Sequence, residues 1–347
     1  MDNPDLYRQE REAIVRALLD EKANTVAEET LKSLIAQDPE HVPYYVLLGS
    51  VMKAQDKADL IIPTLTHATK TFPELPLYRS SNYQSQQQNA TARGLPSIFL
   101  NTQFKSGSVF LRDALERGLS MPWQFLSVEG VTPTLVDDWL IDFSRGGALC
   151  QHHRFFDDDL RENMAKISNA KLVLHLRDPR QSALSAAHHF ERVLIDGPDY
   201  ARRNLLDTMP PDYANWPFER KLDLYFELVD DVDYTTLKRN RQTFATQVEW
   251  IDRWLEAVEQ FAVPLEVILT DYQDLANGQG NFMAMLLDKL DISRAEFDFN
   301  IVKDRPDPGV KHYRKGDPNE WRSVLSEAQT ACALKLMTPR LLDRYGV

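Results

Sequence analysis

Residues 99–111 read FLNTQFKSGSVFL, and this stretch decides the fold of the region around it. An apolar strand leads into a loop of Lys105, Ser106, Gly107 and Ser108, and a helical pattern follows. Small residues let the backbone approach a ligand, and the N–H groups at the helix start point towards it. Lys105 adds a full positive charge. The stretch predicts an anion-binding loop, and a plain serine helix cap with a solvated lysine is the alternative.

Strands and helices alternate along the chain from residue 94. The predicted strands are residues 95–101, 148–151, 171–177 and 265–272. The predicted helices are residues 107–117, 179–193, 250–261 and 282–290. The run KLVLHLR at 171–177 is apolar almost throughout, which is typical of a strand buried on both faces. The alternation predicts an α/β fold, a parallel sheet flanked by helices, whose ligands bind beyond the carboxyl ends of the strands.

Two more basic motifs occur later in the chain. HLRDPRQSALS places Arg177 at a strand end and Ser185 eight residues later, about two helical turns along. The planar guanidinium suits a phosphate group, and the serine hydroxyl can share its oxygens. The alternative is that Arg177 forms an ion pair with Asp178 or with another carboxylate at a helix start. HYRKGDPNEWR at 312–322 is a basic loop that would, alone, indicate only a solvated charge run.

The composition of the chain disfavours some classes of binding partner and indicates a cellular compartment. The 347 residues include 40 Lys and Arg against 52 Asp and Glu, a formal net charge of −12, which disfavours nucleic acid or an anionic membrane as the main partner. Cys150 and Cys332 are too few and too far apart for a disulfide framework, which indicates a reducing compartment. The start of the chain lacks a signal-peptide pattern, and no apolar run could span a bilayer. We therefore expect a cytoplasmic protein.

The first part of the chain has a helical pattern that resembles the tetratricopeptide (TPR) repeat. Pro39 and Pro73 are 34 residues apart, the period of that repeat. The residues that fit its pattern in one copy are Tyr45, Leu48, Gly49, Ile61, Leu65 and Ala68. The preceding copy keeps Ala27, Leu31, Leu34 and Pro39. A helical hairpin with a coincidental proline spacing is the alternative.

These patterns predict three parts. Residues 1–79 would form a TPR-like helical domain, which could bind a protein partner because such repeats present concave surfaces. Residues 80–93, SSNYQSQQQNATAR, are polar and read as an exposed linker. Residues 94–347 would form the α/β domain.

Taken together and in this order, the basic motifs resemble those of the PAPS-dependent sulfotransferases. These enzymes move a sulfuryl group from 3'-phosphoadenosine 5'-phosphosulfate (PAPS) to an acceptor hydroxyl and release 3',5'-bisphosphoadenosine (PAP). The resemblance covers about residues 94–347 and implies the P-loop-like sulfotransferase fold. It implies that the 5'-phosphosulfate end of the donor binds Lys105, Ser106, Gly107 and Ser108, and that Val109 and Phe110 in the first helical turn also bind the nucleotide. It implies that the rest of the nucleotide, chiefly its 3'-phosphate, binds Arg177, Ser185, Tyr272, Arg314, Lys315 and Gly316.

The loop departs from the family pattern in several places. The family's P-K-S-G-T-T-W appears here as F-K-S-G-S-V-F at residues 104–110, so Phe110 replaces the tryptophan that stacks on adenine. A flat phenyl ring can still stack. The G-x-x-x-x-G-K-[ST] order of a Walker A loop is absent, which disfavours a nucleotide-dependent phosphotransferase. A catalytically inactive sulfotransferase-like module that only binds partners is the other alternative.

The resemblance implies an in-line displacement that needs no metal. Lys105 would stabilise the charge that grows on the leaving oxygen, while a histidine removes the acceptor's proton. The second predicted strand, residues 148–151, runs into Cys150-Gln151-His152-His153-Arg154, so both histidines are candidates, and the family pattern favours His153. With Asp157–Asp159 the two histidines could instead ligate a metal, although adjacent residues rarely converge on one ion. The acceptor, whether a sugar, a peptide or a small metabolite, is not specified by the sequence.

Overall fold

The structure is a computed structural model. It describes residues 4–21, 23–39, 41–55, 57, 60, 64, 82–127, 135, 137–197, 202, 205–206, 208–239, 243–302 and 316–346. Within these residues the strands are β1 Ser97–Thr102, β2 Trp123–Gln124, β3 Leu149–His152, β4 Ala170–Leu176 and β5 Glu266–Asp271. They form one sheet in the order β2-β3-β1-β4-β5.

The strands of this sheet are parallel. β4 pairs with β5 in parallel register over six positions, and β2 pairs with β3 over two. Beside β1 and β4, Ser97 N–H donates to Asn169 O and Gln103 N–H donates to His175 O, both at 2.9 Å. From the first bond to the second, both segments advance by six residues, from Ser97 to Gln103 and from Asn169 to His175. β1 and β4 therefore run in the same direction. The predicted parallel sheet flanked by helices is confirmed.

Helices account for most of the remaining described chain. Their bounds are α1 Pro4–Asp20, α2 Asn24–Gln37, α3 Val42–Ala54, α4 Tyr83–Ala92, α5 Ser108–Leu119, α6 Asp137–Phe143, α7 Asp158–Met164, α8 Pro179–Asp196, α9 Phe218–Tyr225, α10 Thr235–Arg239, α11 Phe244–Glu259, α12 Tyr272–Asn277, α13 Gln279–Lys289, α14 Trp321–Val324, α15 Glu327–Leu336 and α16 Pro339–Tyr345. Short 3₁₀ helices lie at Tyr213–Asn215, Arg294–Glu296 and Phe299–Val302. Over the described residues, no helix combines the length and apolar composition needed to cross a membrane.

The predicted strands and helices agree with the structure where their residues carry a clear pattern of burial or capping. All six residues of β1 are buried, and so are the last five of β4, as the near-continuous apolar run at 171–177 predicts for β4. The helix predicted at 250–261 begins earlier, at Phe244, because Thr243 and Thr246 form a capping box there. β2 was not predicted, since two residues carry no periodic pattern.

Contacts divide the chain into two compact units. One consists of residues 1–97, 121–150 and 166–169, and the other of residues 98–120, 151–165 and 170–347. In the first unit, α1, α2 and α3 share an apolar core whose fully buried members include Val15, Ala27, Leu31 and Val51. The predicted positions Ile61, Leu65, Ala68 and Pro73 lie outside the described residues. The TPR-like repeat and the boundaries at 79 and 94 therefore stay predictions.

The polar stretch before β1 contains a helix that its sequence pattern does not predict. Residues Tyr83–Ala92 form helix α4, in which Tyr83, Gln87 and Ala90 are buried. Gln87 Nε2–H donates to Asp142 O at 2.9 Å and to Gly146 O at 3.1 Å. A buried glutamine is tolerated when its polar atoms are bonded in this way. The stretch therefore contains a helix with one buried face, and its role as a linker stays a prediction.

Candidate active site

The second unit brings together the carboxyl ends of β1, β4 and β5. Residues 103–107 follow β1 and lead into α5, Arg177 follows β4, and Tyr272 follows β5. In a parallel sheet these ends share one edge, where ligands bind. The candidate site is built around this edge.

The loop after β1 has a constrained backbone. Ser106 N–H and Oγ–H both donate to Gln103 O, at 3.2 and 2.7 Å. Lys105 has φ 64° and Gly107 has φ 90°, so both lie in the left-handed region. A Cβ on Gly107 would stand 3.2 Å from the Tyr272 ring, so another residue there would strain the backbone and crowd the ring. A lysine held in that region is the kind of strain found at functional sites.

Arg177 is fixed against this loop by its backbone and its side chain. Its N–H donates to Gln103 Oε1 at 2.7 Å, and its Nη1–H donates to Lys105 O at 2.5 Å. The guanidinium carbon lies 3.8 Å from the centroid of the Tyr272 ring. Arg177 is 7% exposed. The structure therefore places Lys105, Arg177 and Tyr272, three of the predicted nucleotide-binding residues, in one cluster.

The carboxylate next to Arg177 in sequence is used elsewhere. Asp178 caps α8 by accepting from Arg180 N–H at 2.9 Å, and it pairs with the Arg180 guanidinium at 2.9 Å. Arg180 is fully buried, stacks 3.8 Å from the Trp321 ring and donates to Tyr345 O at 3.0 Å. The structure thus shows Asp178 paired with Arg180, in contrast to the alternative in which it pairs with Arg177.

The positively charged side chains at the loop repel one another. Burial, together with the nearby charges of Arg177 and Arg192, lowers the pKa of the Lys105 ammonium to about 8. Like charges raise one another's free energy when they are brought together in a poorly solvated site. An anion bound among these groups would relieve that repulsion. The arrangement is therefore suited to a phosphate or sulfate group.

His153, at the end of β3, has a defined orientation. Its Nδ1 lies 2.7 Å from Thr102 O and 3.1 Å from Thr102 Oγ1. A carbonyl oxygen only accepts, so Nδ1 carries the proton and Nε2 carries the basic lone pair. The next residue is held to β1, since Arg154 N–H donates to Asn101 Oδ1 at 2.8 Å and Arg154 O accepts from Trp254 Nε1–H at 2.7 Å. These bonds hold the imidazole at the sheet edge.

His152 has a different environment. It is 1% exposed, within β3, and its ring lies 5.6 Å from that of Phe99. His153 is half-buried and meets the Phe104 ring edge-on at 6.0 Å. Phe104 immediately precedes Lys105, so His153 borders the predicted anion-binding loop of residues 105–108, which we call the anion loop. The geometry favours His153 over His152 as the group that could reach a substrate.

Some of the remaining predicted nucleotide-binding residues lie on α5 and α8, and others lie outside the described part of the chain. Ser108, Val109 and Phe110 occupy the first turn of α5, and Ser185 lies half-buried on α8. Gly316 is described, with φ 69°, whereas Arg314 and Lys315 lie outside the described residues. Among the residues that the structure describes, no group of three or more His, Cys, Asp or Glu side chains could hold a metal ion.

Several residues of the site were not predicted. Gln103 bonds both Arg177 and Ser106, and Ser182 Oγ–H donates to Phe104 O at 2.9 Å. Arg192, one turn before the end of α8, adds the third positive charge. One signal in the sequence marks Gln103, since it is a polar residue directly after a buried strand. Arg192 gave none, because its approach to Lys105 depends on how α8 packs.

Comparisons with known proteins identify similar solved structures. No protein-family model matches the chain, and no curated protein matches it. The mouse sulfotransferase SULT7A1, solved with PAP, is 16% identical and matches 76% of this chain and 96% of its own, with a TM-score of 0.44. A retinol dehydratase solved with retinol and PAP is 13% identical and matches 78% of this chain and 89% of its own, with a TM-score of 0.39.

Proposed function

We propose that this protein transfers a sulfuryl group from PAPS to an acceptor hydroxyl and releases PAP. The observation that supports the proposal most is the meeting of Lys105, Arg177 and a helix N-terminus at one sheet edge, with the oriented His153 bordering the same loop. Cations and backbone N–H groups match the two anionic ends of the donor. A histidine with a basic Nε2 matches the proton that the acceptor must lose.

Each end of the donor has its own set of residues in this proposal. The phosphosulfate end lies in the loop of Ser106, Gly107 and Ser108 and against Lys105. The 3'-phosphate lies at Arg177 and Ser185, and Arg314, Lys315 and Gly316 complete its site, as the motif resemblance implies. Phe110 stacks on the adenine.

The proposed transfer needs no group beyond these side chains. The acceptor oxygen attacks the sulfur in line with the bridging oxygen, while His153 Nε2 takes the acceptor's proton. The bond from sulfur to the bridging oxygen breaks, and PAP leaves with the negative charge. Lys105 stabilises that growing charge.

The experiment that tests this function is transfer of ³⁵S from labelled PAPS to a panel of phenols, sugars, tyrosine peptides and aliphatic alcohols. The proposal expects a labelled product and an equal amount of PAP with at least one acceptor class. PAP binding without any transfer across the panel would instead favour the inactive binding module. Stabilisation by ATP rather than PAP in a thermal melt would favour the phosphotransferase.

We predict that PAP affinity falls as pH rises from 7 to 9.5. The Lys105 ammonium loses its proton near its pKa of about 8, whereas the phosphates of PAP are ionised above about pH 6. A bound phosphate raises the pKa of Lys105, so this residue has one pKa in the free protein and a higher one in the PAP complex. Between these two pKa values the Kd for PAP rises up to tenfold per pH unit. Calorimetric titration across this range measures the effect.

The matched control is Lys105→Arg, because arginine keeps its charge over the whole range. Its PAP affinity should vary little between pH 7 and 9.5. An equal pH dependence in the wild type and in this variant would show that some other group titrates.

A further inference from the structure

A buried histidine lies inside strand β4 and has no part in the chemistry described above. His175 is fully buried in the run KLVLHLR, between Leu174 and Leu176. Its ring meets the Phe282 ring edge-on at 5.7 Å. A histidine in such a place requires partners for both ring nitrogens.

Both partners are present. His175 Nε2 lies 3.0 Å from Ser106 O, and Nδ1 lies 2.9 Å from Thr270 Oγ1. Since Ser106 O only accepts, Nε2 carries the proton, and Nδ1 accepts from the Thr270 hydroxyl. The result is a chain of hydrogen bonds from β5, through β4, to the anion loop.

The imidazole of His175 keeps one protonation state in this chain of hydrogen bonds. Burial lowers the pKa of His175, the bond to Ser106 O opposes this shift and the nearby Arg177 adds to it, and the net result is a pKa of about 3. The imidazole is therefore neutral at any working pH, and its donor stays on Nε2.

The hydrogen bond from His175 to Ser106 O determines the direction in which the next backbone donor, the N–H of Gly107, points. In a trans peptide the C=O and the following N–H point in opposite directions. With Ser106 O drawn inward to His175, the N–H of Gly107 is turned away from the sheet core, towards the side where the loop would receive an anion. Gly107 is the N-cap of α5, so its N–H belongs to the group that faces a ligand at a helix start.

We infer that the buried chain Thr270–His175–Ser106 positions the anion loop, so that the Gly107 N–H meets the 5' end of the donor. His175 is thus a positioning residue that touches no ligand. The inference rests on the proposed function, because it assigns the loop to the 5' end of PAPS.

The test compares PAP with adenosine 3'-monophosphate, which lacks the 5'-phosphate, by calorimetric titration of the full chain. His175→Leu removes both hydrogen bonds and is expected to weaken PAP binding about tenfold while leaving the affinity for the 3'-monophosphate unchanged. His175→Gln can place an amide donor where Nε2 was and should restore most of the PAP affinity. Thr270→Val should have the same selective effect, but a smaller one.

Each outcome decides the inference. A selective loss in His175→Leu that Gln rescues supports it, and selective loss in Thr270→Val supports it if the Leu variant does not fold. Equal weakening of both ligands, or no change in PAP affinity in any variant, would overturn it. A wild-type protein that binds the 3'-monophosphate and PAP equally would also overturn it, whereas one that binds neither would overturn the proposed function itself.

Discussion

Replacing Lys105 by alanine should lower kcat for sulfuryl transfer about 100- to 1,000-fold, the loss typical for removing one group that stabilises transition-state charge. The lysine is placed for this role by a backbone with φ 64° and by burial that leaves its ammonium poorly solvated. In such surroundings a positive charge interacts strongly with an oxygen that becomes negative. The ground state has less charge on that oxygen, so the loss should fall mainly on kcat.

Steady-state kinetics with the acceptor found in the labelled panel measure this effect. Lys105→Arg is the control, since it keeps the charge but changes its geometry, and it should retain more activity than Lys105→Ala. A Lys105→Ala variant with unchanged kcat and raised KM would contradict the proposed role, because the lysine would then only bind the donor.

Replacing His153 by alanine should lower kcat about 100- to 10,000-fold, the usual contribution of a general base. The hydrogen bond from Nδ1 to Thr102 O leaves Nε2 as the basic atom, and the contact with Phe104 places the ring beside the anion loop. The variant should bind PAP like the wild type, because His153 does not touch the nucleotide in the proposed arrangement.

His153→Asn is the matched control for this prediction. Its amide can still donate to Thr102 O, so the segment after β3 keeps its position, but it has no basic nitrogen. It should be as inactive as the alanine variant, and it should melt close to the wild type. A fully active His153→Asn, together with an inactive but folded His152→Gln, would assign the base to His152.

The sequence predicted the main elements of the sheet because each carries a strong local signal. β4 is a nearly continuous apolar run and β1 contains the apolar residues Ile98, Phe99 and Leu100. Pro179 at the start of α8 marks the helix that follows Arg177. The helix at Tyr83–Ala92 was missed because its polar residues have no apolar period. It is held by bonds from Gln87 to distant carbonyl groups, which no local pattern reveals.

The site shows the same contrast. Lys105, Gly107 and Arg177 were predicted because residue type and position after a strand identify them. Gln103 and His175 act through bonds to residues about 70 positions away in the chain, and Arg192 acts through the packing of α8. Such roles depend on which strands are neighbours, and the strand order β2-β3-β1-β4-β5 is not contained in any single segment.

The central claim, a binding site for PAP at the ends of β1 and β4, is tested most directly by calorimetric titration with PAP and with ATP. Wild-type protein should bind PAP well and ATP more weakly, and Arg177→Ala should weaken PAP binding about 10- to 100-fold, since charge-assisted hydrogen bonds are lost. Arg117→Ala, at an exposed arginine of α5, should bind PAP like the wild type. A folded wild-type protein that does not bind PAP, or an Arg177→Ala variant with unchanged affinity, would contradict the proposed site.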